Sequence, residues 1–133
     1  MSKKNLDAFA NIQNVLDRHT DIELAYVFGS IAKGTATPTS DLDIAIQTAT
    51  QLNVQAKLLF MEEFAEATGR AIDLIDLRNA GEPLLGEILR DGVRLKGSNS
   101  AHAQTVSRHL FDSADFLPYV RRMLAERRQR WTN

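Results

Sequence analysis

The segment from Ala25 to Gln47 constrains this chain more than any other. An apolar run, Ala25 to Phe28, stops abruptly at Gly29-Ser30. Ten residues rich in Thr, Ala, Gly, Pro and Ser follow, and an alternating pattern then resumes at Asp41-Leu42-Asp43-Ile44-Ala45-Ile46. In a strand, residues two apart share a face, so Asp41 and Asp43 point one way while Leu42, Ile44 and Ile46 point the other. The apolar members seek the core, leaving two carboxylates side by side, with Cα atoms roughly 6.5 Å apart at about 3.3 Å per residue. Like charges that close repel and raise each other's pKa unless a cation lies between them. Hard carboxylate oxygens select magnesium or manganese for that position.

Gly29-Ser30 offers the complementary half of a site. Glycine at a strand end lets the backbone approach a ligand, and the serine adds a hydroxyl. If Ser30 to Lys33 open a short helix, its free N–H groups face an anion. A phosphate cradle close to a carboxylate pair implies metal-nucleotide chemistry.

A third carboxylate is needed if two metals are to carry phosphoryl transfer, to hold the metal beside the nucleophile or to take its proton. The strand Ala71 to Leu77, AIDLIDL, offers Asp73 and Asp76 on opposite faces. Asp73, read as mid-strand between apolar neighbours, needs compensation and is the better candidate. Asp76 reads as a turn or cap residue.

These residues resemble a family. Gly29-Ser30, ten residues, then Asp41-x-Asp43 is similar to the signature of the DNA-polymerase-β-like nucleotidyltransferases. The short chain is similar to the minimal nucleotidyltransferases, many of which are antitoxins encoded beside a HEPN-type toxin. Gly34 and Ser40 match the family's loop. Ile31 departs from it where a basic or polar residue is common, and Lys33 stands where arginine is frequent. The resemblance covers roughly residues 5 to 96. It implies a stripped-down polymerase palm, ATP as donor, two Mg²⁺ ions on Asp41, Asp43 and Asp73, and AMP transfer to a tyrosine of a HEPN ribonuclease toxin. Gly29, Ser30, Lys33, Gly34 and Ser40 then form the nucleotide side of the site.

Elsewhere the pattern alternates helix and strand. Leu6, Phe9, Ile12 and Leu16 sit at helical spacing over Leu6 to Arg18, and Glu23 to Phe28 is a strand. Asn53 caps a helix expected to turn Val54, Leu58, Met61 and Phe64 or Ala65 inward, ending at Gly69. Pro83 opens a helix from Leu84 to Arg90. Val93 to Lys96 reads as a short edge strand and Gly97 to Ser100 as a linker. His102 to Trp131 is one helix or two, with Pro118 kinking or interrupting it. The fold class is therefore α/β or α+β around a small mixed sheet. Residues 1–97 form the nucleotidyltransferase domain and 98–133 a C-terminal helical extension packed on it or on a partner.

Composition narrows the alternatives. With 133 residues, one domain with a real core is expected. A net charge of -1 gives no case for wholesale nucleic-acid binding. The absence of cysteine removes thiolate chemistry. No run approaches the roughly 18 apolar residues of a membrane span, so a cytoplasmic protein is expected. No Gly-Lys-Ser/Thr element marks a P-loop. The three histidines are not spaced as ligands and read as surface or cap residues. Arg121-Arg122 and Arg127-Arg128-x-Arg130-Trp131 read either as a solvated helix face or as a partner- or RNA-contacting tail. Phe111, Phe116, Leu117 and Tyr119 read as packing.

Little room remains for an acceptor-binding domain, so the acceptor should come with a partner. Two rival readings are a steric antitoxin without catalysis and a small-molecule nucleotidyltransferase of the aminoglycoside-modifying kind.

Overall fold

In the computed structural model the described residues are 3–113 and 116–132. The readings placed on the side chains of Leu6, Phe116, Leu117, Tyr119, Arg130 and Trp131 lie outside the described residues.

The chain runs α1 (Lys3–Asp17), β1 (Ile22–Phe28), α2 (Gly29–Lys33), β2 (Leu42–Thr48), α3 (Val54–Thr68), β3 (Ile72–Asp76), α4 (Leu84–Asp91), β4 (Val93–Lys96), α5 (Asn99–Asp112) and α6 (Phe116–Thr132), with a 3-10 turn at Leu77–Asn79. The four strands form one mixed sheet in the order β3-β2-β1-β4. β1 pairs antiparallel with β2 and β4, and β2 pairs parallel with β3. The parallel pair needs a crossover, which α3 supplies.

Both faces of the sheet are covered. On one, Ala25, Val27, Leu42, Ile44, Ile46 and Leu74 pack with Ile12, Val15 and Leu16 of α1 and Phe60 and Phe64 of α3. On the other, Leu24, Tyr26, Phe28 and Ala45 pack with Leu77 and with Leu85 and Ile88 of α4. The alternation in β1 and β2 thus divides residues between two cores, and Asp43 belongs to the α4 face.

α3 differs from its sequence expectation. Asn53 does cap it, its Oδ1 accepting from Ala56 N at 2.8 Å, and Gly69 ends it. Phe60 and Phe64 are the residues buried, whereas Val54 is 73% and Leu58 59% exposed. Apolar residues lie nearly all round this helix, so the pair with the largest area to remove from water sets its rotation.

The expected linker is also shorter. Ser98 Oγ accepts from Ala101 N at 3.0 Å, so α5 begins at Asn99. α5 lies against the sheet, with the Tyr26 hydroxyl hydrogen-bonded to His102 Nδ1 at 2.6 Å. Arg108 reaches Leu77 O at 2.6 Å and Arg78 O at 3.0 Å. His102, His19 (to Glu63 at 2.6 Å) and His109 (to Glu82 at 2.5 Å) each tie separate segments together, a larger role than surface or cap. Pro118 lies in the first turn of α6 rather than breaking a longer helix, where its missing N–H leaves no intrahelical bond unmade. Residues 121–129 of that helix are exposed. Among the described residues, no helix is long and apolar enough to cross a membrane.

Candidate active site

Asp43 has partners on both sides in the sheet. It lies opposite Phe28 in β1 and opposite Asp73 in β3. Parallel register therefore puts two carboxylates side by side on the α4 face. Burial pushes the Asp43 carboxyl up to about 6, and the Asp73 charge, a hydrogen bond shared with Asp73, and the charges of Asp41 and Glu87 push the same way. Carboxylates brought this close repel each other, and a cation between them relieves that repulsion.

The Gly29-Ser30 turn meets this pair directly. Gly29 adopts φ +72°, and a Cβ placed there would collide with Asp43 Oδ2. Only glycine combines that backbone angle with so close an approach. Phe28, extended, precedes α2, and Ile31 anchors α2 by being fully buried in the first core. The residue that departs from the resembled signature is thus a core residue. Lys33 is half-exposed and lies 3.8 Å from Asp91 of α4. Gly34, at φ 76°, is the left-handed cap that ends α2.

The loop that follows is organised by its own hydroxyls. Ser40 Oγ accepts from Thr37 N at 2.8 Å, and Arg70 Nη1 donates to the carbonyl oxygens of both Thr37 and Ser40 at 2.9 Å. Ser40 therefore shapes the approach to Asp41, which is exposed and precedes the first residue of β2. Asp73 is the second residue of β3 and is exposed, so the burial that favoured it in sequence is absent. Its register with Asp43 places it in the site instead. Asp76 caps the 3-10 turn, its carboxylate accepting from Arg78 N at 3.1 Å and Asn79 Nδ2 at 2.9 Å.

A family profile described as Polymerase beta, Nucleotidyltransferase matches residues 10–101. The chain belongs to that family. A curated relative, the protein adenylyltransferase MntA of Shewanella oneidensis, is 33% identical over 87 residues, which are 65% of this chain and 63% of the relative. The chain thus matches less than two thirds of that relative's length. A crystal structure of a toxin–antitoxin with AMP-PNP contains a similar chain, with TM-score 0.68 and 27% identity, covering 87% of this chain and 98% of that one. A similar fold, at TM-score 0.62 and 24% identity, occurs in a tri-AMPylated Shewanella oneidensis HEPN toxin in complex with MNT antitoxin, covering 91% and 98% of the two chains.

In this polymerase-β nucleotidyltransferase, the acidic pair fits a hard divalent cation, because every charge acting on Asp43 is negative. Among the described residues, however, no three His, Cys, Asp or Glu side chains stand as a closed metal cluster. Asp43 and Asp73 are adjacent, and Asp41 lies on the loop side without completing the set. Two residues of the site escaped the sequence reading. Glu87 faces Asp43 from α4, and Arg70 holds the loop. Neither carries a local signal, since each acts across 30 or more residues.

Proposed function

We propose that the chain is an Mg²⁺-dependent adenylyltransferase that moves AMP from ATP to a tyrosine hydroxyl of a HEPN-type ribonuclease toxin and so acts as its antitoxin. The observation that carries this reading is the Asp43–Asp73 pair set against the Gly29 turn. The relative named as a protein adenylyltransferase and the toxin–antitoxin structure with AMP-PNP support the donor and the kind of partner.

The chain's own groups divide the work. The Gly29-Ser30 backbone and the Ser30 hydroxyl bind the terminal phosphates, and Lys33 adds charge beside them. Asp43 and Asp73, joined by Asp41, would hold Mg²⁺, which supplies charge neutralisation on the triphosphate and at the attacking oxygen. The acceptor oxygen bonds to the α-phosphorus, the bond to the β-phosphate bridge breaks, and pyrophosphate leaves. Asp73 would take the hydroxyl proton. Positioning and charge, rather than covalent chemistry, account for the rate.

Residues 1–97 would constitute the catalytic domain and 98–133 a helical extension, of which α5 packs on β1 through His102 and on the Leu77–Asn79 turn through Arg108. A reaction using ATP against a ribonuclease belongs in the cytoplasm. The test is incubation of the chain with labelled ATP, Mg²⁺ and the toxin, with AMP expected on the toxin. Toxin that stays unlabelled while still being neutralised would sink the catalytic reading in favour of steric occlusion.

A further inference from the structure

The two acidic strands enter the site side by side, and one side chain spans their entrances. Arg70 lies two residues before Ile72, where β3 begins, and its Nη1 donates to Thr37 O and Ser40 O, each at 2.9 Å. Ser40 directly precedes Asp41. Just beyond the clamp, Leu42 N donates to Ala71 O at 2.9 Å. Two rungs beyond the clamp, Asp43 stands opposite Asp73.

Asp41 itself lacks such support. It lies outside β2 and is exposed, at the end of a loop from Gly34 to Ser40 that is largely exposed. The Asp41 and Asp43 charges repel each other, so without a cation nothing in that pair favours close approach. Bonds from the guanidinium to two carbonyls of this loop restrain it, because a charge-assisted bond to each carbonyl is stronger than a neutral one.

We infer that Arg70 is a positioning residue that holds Asp41 within reach of the Asp43–Asp73 pair by clamping the loop before β2 to the start of β3. Resting on the metal-dependent reading above, it assigns to Arg70 a contribution to cation affinity made without touching the cation. Lysine is not equivalent there, since its single ammonium lacks the planar fork of donors.

Mn²⁺ binding to the full chain, followed by electron paramagnetic resonance, tests this without the toxin or any turnover. Groups hydrogen-bonded directly to metal ligands affect metal affinity by about 10- to 100-fold, and Arg70 acts one residue removed from Asp41, so Arg70→Ala should raise the half-saturating Mn²⁺ concentration by about tenfold, the low end of that range. Asp43→Asn should abolish binding and so locate the ion, and Arg70→Lys should fall between Arg70→Ala and wild type. A wild-type chain that takes up no Mn²⁺, with or without AMP-PNP, overturns both the functional reading and this one. Equal affinity in wild type and Arg70→Ala overturns this inference alone, as does a lowered melting temperature with unchanged affinity. If Arg70→Ala does not fold, Arg70→Lys carries the test, and an unchanged Mn²⁺ midpoint in that variant overturns the clamp.

Discussion

The carboxylate of Asp43 rests against the α-carbon of Gly29, filling the space a side chain would otherwise take. The two halves of the signature, ten residues of loop and helix apart in reading order, are thus one contact. Gly29→Ala should lose on two counts, a φ of +72° and a collision with Asp43 Oδ2. A loss of about 1–3 kcal/mol in stability is expected, with AMP transfer abolished. Gly69→Ala is the control: its φ is +69°, but nothing lies within 4 Å of the added carbon. It should lose about 1 kcal/mol in urea unfolding and keep its activity.

Asp43 carries a stability cost at neutral pH. Its carboxyl is raised from 3.8 to about 6, so between those values the folded chain binds more protons than the unfolded one. Metal-free stability should therefore fall as pH rises from about 4 to about 6 and level off above that. Two pH units correspond to about 3 kcal/mol, and water around the site reduces this to about 1–2 kcal/mol. Asp43→Asn removes the charge, so at pH 7 without metal it should melt a few degrees above wild type while being inactive. Melting curves at pH 4 and pH 7 check this, and an Asn variant less stable than wild type at pH 7 would contradict it.

Asp73 and Asp76 should part company. Asp73→Asn removes half of the acidic pair and should lower AMP transfer on the order of 10²-fold or more, with little change in melting. Asp76→Ala removes the cap on Leu77–Asn79, for about 1 kcal/mol, and should leave the transfer rate near wild type. Paired rate and melting measurements on the two variants suffice, and a reversal of the two patterns would assign the third carboxylate to Asp76.

The rotation of α3 can be read by substitution. Leu58→Ser, on the exposed face, should change stability by no more than about 0.5 kcal/mol. Phe64→Ala, fully buried, should lose about 3–5 kcal/mol. Denaturant midpoints for the two variants distinguish this orientation from one with Leu58 inside.

Much of the architecture could be read from local pattern. β1, the Gly29 turn and β2 are marked by a period of two, an abrupt stop and a return to alternation, features that depend on neighbours in the chain. Both the apolar neighbours and the family resemblance point to Asp73, yet it is exposed, and what brings it to Asp43 is parallel register, which no local pattern encodes. α3 defeated a local reading because apolar residues surround it, and the choice of inward face fell to Phe60 and Phe64 against a core assembled from elsewhere. Ser98 was legible as an N-cap in principle, but Gly97-Ser98-Asn99-Ser100 has the composition of a linker. Arg70 and Glu87 required the fold, since the groups they act on are distant in the chain.

β3 is the outermost strand on its side of the sheet, and Asp73 sits near its beginning. The candidate site accordingly lies on a rim and not in a bowl. A bulky acceptor can arrive sideways, past the free flank of the strand, and depart by the same route. On the function proposed above, turnover would then be paced by how quickly two proteins separate.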